Sequence, residues 1–132
     1  VVVAASAIPR GDGELLLVID DERAIRDLLA EGLAAHGYRV LTAGNGVEAL
    51  QIFQQHRSEV QLVITDAAMP LMDGALAIME LRKLQKDLPI IVASAEVETG
   101  ERIDPHTLRV RKPFALEEIL SAVARLLAKS VP

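Results

Sequence analysis

The sequence contains no cysteine. Disulfides and thiolate metal sites are therefore excluded, and a reducing compartment fits. Tryptophan is absent too, and aromatics make up only 2% of the residues, so any core must be aliphatic. Positive charge is in short supply. The net charge of −5 argues against direct nucleic-acid binding, which needs a basic face, but not against binding a cation. No apolar run reaches the length of a membrane span. The apolar opening, residues 1–8, is too short, and no basic segment precedes it as a signal peptide requires. No internal repeat or low-complexity segment is visible.

What is present describes one globular domain. The chain has 132 residues, 51% of them hydrophobic and 25% charged, enough for a sizeable core. It does not begin with Met, and Pro9, Gly11 and Gly13 read as a linker. Residues 1–13 are therefore expected to be a linker or leading tail of something longer. The domain is expected to span 14–129, with 130–132 as a closing tail.

Strands and helices alternate along the chain. Residues 15–19, Leu-Leu-Leu-Val-Ile, form a continuous apolar run, as expected of a strand covered on both faces. Ile25, Leu28, Leu29 and Leu33 then fall on one helix face, and Gly37 suits the left-handed position that ends the helix. Residues 38–43 alternate as a second strand. Asn45 and Glu48 have the spacing of a capping box, followed by Val47, Leu50 and Phe53 as inward residues. Residues 60–65 read as a third strand, and a third helix is expected from Asp73–Gly74 to about Lys86, with Leu76, Met79 and Leu84 in the core. Residues 89–93 form a fourth strand. Gly100 and Pro105 leave room for at most a short or distorted helix before a fifth strand at 107–111. Leu116, Ile119, Leu120, Val123 and Leu127 form the stripe of a final helix. Five strands alternating with helices imply a parallel sheet covered on both faces by right-handed crossovers. The expected fold is an α/β, flavodoxin-like, doubly wound sheet of order 2-1-3-4-5.

In such a sheet the carboxyl ends of all strands share one edge. The first strand brings Asp20 and Asp21 there, the third Asp66, the fourth Ser94 and the fifth Lys112. Carboxylates gathered so closely repel: two charges about 4 Å apart at an effective dielectric near 20 cost roughly 4 kcal/mol. A divalent cation relieves this, and an all-oxygen site suits Mg²⁺ or Mn²⁺. Lys112 adds a positive charge and Ser94 a hydroxyl donor. Together they make a receptacle for a phosphoryl group carried on a carboxylate.

The plainer readings are that Asp20 or Asp21 caps the first helix and Asp73 the third. His36, His56 and His106 read as surface residues, Met69 and Met72 as packing, Glu96 as exposed. A steady-turnover phosphatase would need a second acid where Ala68 stands. A flavin site would need phosphate donors where the first loop is acidic.

With these residues assembled, the chain resembles a response-regulator receiver domain of bacterial two-component (phosphorelay) signalling. The pieces that carry the resemblance are residues 17–22 (Leu-Val-Ile-Asp-Asp-Glu), 63–70 (Val-Ile-Thr-Asp-Ala-Ala-Met-Pro) with 72–74 (Met-Asp-Gly), 91–95 (Ile-Val-Ala-Ser-Ala) and 111–114 (Arg-Lys-Pro-Phe). The similarity covers about residues 14–129. It implies that Asp66 is the nucleophile accepting phosphate from a phosphohistidine. It implies that Asp20, Asp21, Asp66 and the main-chain carbonyl of Ala68 hold the metal. Ser94 would bond the phosphoryl oxygen in the active state and Lys112 would pair with it. The domain would catalyse its own phosphorylation and dephosphorylation rather than turn over small substrates. The implied phosphodonor is a histidine kinase or a histidine phosphotransfer domain, the implied setting is cytoplasmic without membrane contact, and a homodimer is among the implied states. Residues 9–14 resemble the linker before a receiver fused behind a kinase, which favours a hybrid histidine kinase as parent chain over a free-standing regulator.

Two departures set this chain apart. Arg109 stands three positions before the lysine, where the family carries an aromatic switch residue, and the segment between Ser94 and Lys112 is a few residues short. These motivate an alternative: a receiver-like interaction module that signals without phosphate.

Overall fold

Leu15–Ile19 forms β1, and none of its five side chains is more than 5% exposed. Apolar residues on both sides of a strand require cover on both sides, and the rest of the chain supplies it. A computed structural model describes residues 10–67, 74–95 and 102–128. The other elements are α1 (Arg23–Ala35), β2 (Arg39–Ala43), α2 (Gly46–Gln55), β3 (Val60–Asp66), α3 (Gly74–Leu84), β4 (Ile90–Ser94), β5 (Arg102–Asp104), β6 (Thr107–Arg111) and α4 (Leu116–Ala128). Their order in the sheet is β2-β1-β3-β4-β6-β5. The first five strands of that order are mutually parallel, which is the expected doubly wound arrangement.

The strand alternation divides the core into two halves. Leu16, Val18, Leu62, Ile64, Ile91, Leu108 and Val110 pack beneath α1 and α4, against Leu29, Leu33, Ile119, Leu120 and Val123. Leu15, Leu17, Ile19, Val63, Ile90 and Val92 pack beneath α2 and α3, against Ala49, Phe53, Ala77 and Leu81. Each half is almost purely aliphatic, as the composition requires.

The helix ends follow local chemistry. Asn45 Oδ1 accepts from the Glu48 N–H at 2.8 Å, and Glu48 Oε1 accepts in return from the Gly44 N–H at 2.6 Å. The return bond of this capping box lands one residue before the cap. Gly37 has φ +95°, as the end of α1 needs, and a Cβ there would run into the Gly11 carbonyl oxygen. The space is taken because Gly11 and Gly13 donate backbone bonds to His36 and Gly37, at 2.7 and 2.8 Å. The first helix has no side-chain cap: Glu22 is its N-cap residue, so neither Asp20 nor Asp21 fills the expected capping role.

Four apolar residues expected inside lie outside. Leu28, Val47, Leu76 and Met79 are 50%, 45%, 44% and 58% exposed. In each helix a pair four residues apart takes the buried face: Leu29 and Leu33 in α1, Ala49 and Phe53 in α2, Ala77 and Leu81 in α3. The α3 sequence is apolar at so many positions that periodicity alone does not choose between faces. Between β4 and β6, where at most a short helix is expected, residues 96–101 lie outside the described residues, and a strand not foreseen from the sequence follows them. The described part of that segment is β5, paired antiparallel with β6 across a turn at Pro105 and His106. The expectations for Ala68, Met69, Met72, Asp73 and Glu96 fall outside the described residues.

The contrast between adjacent leucines is directly testable. Leu29 is 1% exposed, so Leu29→Ala is expected to cost about 2–5 kcal/mol in urea unfolding. Leu28→Ala on the open side of the same turn is expected to cost less than about 1 kcal/mol.

Candidate functional site

The strand register builds the site. Ile19 pairs with Thr65, Asp66 with Ala93, and Ser94 with Arg111. Asp20, Asp66, Ser94 and Lys112 therefore stand at or one step past the ends of adjacent parallel strands. Backbone bonds continue across that edge: the Asp20 N–H donates to Ala43 O at 3.1 Å, the Ala67 N–H to Ala93 O at 2.9 Å, and the Lys112 N–H to Ser94 O at 2.8 Å. The residues that carry chemistry are thus held by the sheet itself rather than by free loops. The Lys112–Pro113 bond is cis, a point on which the sequence is silent.

Asp20, Asp21 and Asp66 each offer a carboxylate oxygen, and these oxygens all lie within 4.8 Å of one another. Asp20 and Asp66 are buried, at 3% and 8% exposure, while Asp21 is exposed to solvent. Lys112 Nζ lies 3.3 Å from Asp20 Oδ2 and 3.3 Å from Asp66 Oδ2, so one ammonium bridges the two buried acids. The Asp20 carboxylate also accepts from the Glu22 N–H at 2.9 Å, which folds the acidic turn back on itself. Thr65 Oγ1 donates to the Asp66 carbonyl at 3.0 Å, at the end of β3. Ser94 ends β4, half-buried, one residue past the Asp66–Ala93 pair.

Charge in this pocket is incompletely balanced. Burial pushes the Asp20 carboxyl above its ordinary pKa; the Glu22 N–H and Lys112 pull it down, and the Asp66 charge pushes it further up. For Lys112, burial works against the charge. The Asp20 and Asp66 carboxylates outweigh it and hold the ammonium above its usual pKa. Three carboxylates against one ammonium, with oxygen donors only, fit a hard divalent cation. A cleft of about 360 Å³ opens beside Lys112, lined by Ile25, Leu28, Pro113 and Phe114.

One residue at the site is missed by the sequence reading. Arg26 Nη1 donates to the Asp20 main-chain carbonyl at 2.7 Å from the first turn of α1. Its position six residues past Asp20, one turn into the helix that the acidic loop opens, is the only sequence signal for it.

The family model of the response regulator receiver domain matches residues 16–124. The chain belongs to that family. Response regulator MprA of Mycobacterium sp. (strain KMS) is 38% identical over 124 residues, which are 89% of this chain and 52% of that protein. The chain thus spans about half the length of the curated relatives it matches. A receiver domain protein from Clostridium thermocellum superposes with a TM-score of 0.79 at 26% identity, covering 88% of this chain and 95% of the other. Response regulator protein TrrA from Thermotoga maritima, solved in complex with Mg²⁺-BeF, superposes with a TM-score of 0.71 at 37% identity, covering 86% and 98%. Receiver domains bind Mg²⁺ at an acidic site and interact with histidine kinases and phosphotransfer partners. The pocket of Asp20, Asp21 and Asp66 in this receiver fits a phosphoacceptor site. Among the described residues no helix is long and apolar enough to cross a membrane.

The raised pKa of Asp20 has a thermodynamic consequence. The folded receiver holds the neutral acid more readily than the unfolded chain does, so the Asp20 charge destabilises the fold above the carboxylate range. The penalty shrinks as pH falls through the raised pKa. In metal-free buffer, Asp20→Asn is expected to melt a few degrees above wild type at pH 7, with the gap closing toward pH 4. Circular dichroism melts across that range check it; an Asn variant less stable at pH 7 would show that the Lys112 bond dominates.

Proposed function

We propose that Asp66 is the phosphoacceptor of this receiver and that a phosphohistidine, on a histidine kinase or a histidine phosphotransfer domain, is its donor. The observation that carries this reading is the contact of Lys112 Nζ with Asp66 Oδ2 at 3.3 Å, inside a pocket that also holds Asp20 and Asp21. An Asp66 oxygen bonds to phosphorus as the phosphorus–nitrogen bond to the donor breaks, and the electron pair leaves on the imidazole. Lys112 already bridges the acids and pairs with the arriving phosphoryl oxygens. Ser94, one step along the edge, donates its hydroxyl to the same group. Asp20, Asp21 and Asp66 are the side chains that would hold Mg²⁺ or Mn²⁺, with the Ala68 carbonyl as the further ligand the family resemblance implies. When bound, the ion neutralises the charge that builds on the phosphoryl oxygens.

Switching follows from the same contacts. A phosphoryl group carries roughly −2 near neutral pH, about one charge more than the carboxylate it modifies. Lys112 then has a stronger partner than Asp20, and Ser94 has an acceptor to turn toward. A modification shifts a two-state equilibrium only through contacts that differ between the states, and these two are the candidates. The net charge of −5 supports a receiver that makes no direct contact with nucleic acid. The setting we assign is cytoplasmic.

The reading is tested by incubating the receiver with Mg²⁺ and acetyl phosphate and measuring intact mass. An acid-stable, base-labile phosphoryl adduct is expected on wild type and absent from Asp66→Asn. No adduct on wild type, or an equal one on the variant, would overturn it, and the phosphate-independent interaction module would then be the better account. Lys112→Ala is expected to slow adduct formation at least about tenfold. Ser94→Ala is expected to keep the adduct but to lose most of the amide shift changes that wild type shows in β4 and β6 on adding beryllofluoride.

A further inference from the structure

Two of the three acids sit on one short turn, and that turn has few tethers of its own. The Asp20 N–H is fixed by Ala43 O on the neighbouring strand at 3.1 Å. The Asp20 carboxylate is fixed by the Glu22 N–H at 2.9 Å, within the turn, and by Lys112 Nζ at 3.3 Å. The third group of this residue is its main-chain carbonyl, which sets the orientation of the next peptide and so of Asp21. That carbonyl accepts from Arg26 Nη1 at 2.7 Å. The guanidinium lies beside Gly44, where an added Cβ would come within 3.3 Å of Nη1 and 3.8 Å of Cζ. The glycine leaves the space that Arg26 occupies. Gly44 is in turn held by Glu48 Oε1 at 2.6 Å, through the capping box of α2.

We propose that Arg26 is a positioning residue of the phosphoacceptor site, which orients the Asp20–Asp21 turn for the divalent cation by holding the Asp20 carbonyl. The proposal rests on the metal site of the preceding section. Arg26 touches neither the transferred group nor Asp66 in this role; it acts through the backbone of a ligand. The sign of its effect separates positioning from electrostatics. A guanidinium close to a cation site repels the cation, so removing its charge alone tightens Mg²⁺ binding. Removing a tether that orients two ligands weakens it. Outer-shell tethers of this kind typically change metal affinity by about 10- to 100-fold.

Isothermal titration with MgCl₂ alone decides between these outcomes. Arg26→Gln is expected to raise the Mg²⁺ dissociation constant about tenfold. The Mg²⁺ concentration that half-saturates phosphorylation by acetyl phosphate is expected to rise in step. Arg26→Lys, which reaches the carbonyl with a single ammonium donor, is expected to recover part of the lost affinity. Metal-free melting curves of the three proteins are expected to stay close together, whereas a merely structural role would move those curves and leave Mg²⁺ affinity alone. Unchanged or tighter Mg²⁺ binding by Arg26→Gln, or no recovery in Arg26→Lys, would overturn the proposal. Failure of wild type itself to bind Mg²⁺ would defeat the metal site, and the role of Arg26 with it. Should Arg26→Gln fold poorly, the lysine variant against wild type carries the same comparison.

Discussion

Everything at the active edge depends on one constraint: carboxylates that repel one another are held together by a sheet that does not yield. The Asp20, Asp21 and Asp66 oxygens stand within 4.8 Å of one another although two of the three residues are buried. No flexible loop would keep them there, since like charges at that range cost several kcal/mol at protein dielectrics. The register between β1, β3 and β4 keeps Asp20 and Asp66 there, because their strand ends are tied to neighbouring strands by backbone bonds, and Asp21 is carried on the turn that follows β1. The buried aliphatic core on both faces is what makes the sheet stiff enough to impose this. Lys112 relieves part of the repulsion at 3.3 Å from each buried acid, while burial above all, with a smaller push from the Asp66 charge, holds the Asp20 carboxyl above its ordinary pKa. In the function proposed above, a cation and a phosphoryl group would complete the balance.

The same constraint explains why so much of the fold and site is legible in the sequence. A strand buried on two faces has to be written as an unbroken apolar run, and Leu15–Ile19 is one. A parallel sheet forces its strand ends onto a common edge, so residues scattered from Asp20 to Lys112 can be gathered without coordinates. What is not legible is anything decided by competition. In α3 the first six positions are all non-polar, and which face turns inward is settled by the fit of Ala77 and Leu81 between α2 and the sheet, leaving Leu76 and Met79 outside. Leu28 loses to Leu29 for the same reason. The β5–β6 hairpin is not legible because a three-residue strand has too little pattern to read. Arg26 is not legible because its partner is a backbone carbonyl, which leaves no mark in the sequence.

These two kinds of determinant bear on function differently. The strand-end residues all lie within residues 16–124, the span that the receiver family model matches. The departures lie further from the pocket. Arg109 stands in β6 where the family carries an aromatic, and β5 adds an antiparallel edge beside it. Asp66 is held by the sheet, and β4 joins it to β6, the strand beside which β5 adds an antiparallel edge.

A crystal structure of the receiver grown with Mg²⁺ and beryllofluoride tests the central claim most directly. The expected density shows beryllium bonded to an Asp66 oxygen, the ion between Asp20, Asp21 and Asp66, and Lys112 Nζ and Ser94 Oγ turned onto the fluorides. An ion held elsewhere, or an Asp66 carboxylate left bare in saturating beryllofluoride, would contradict it.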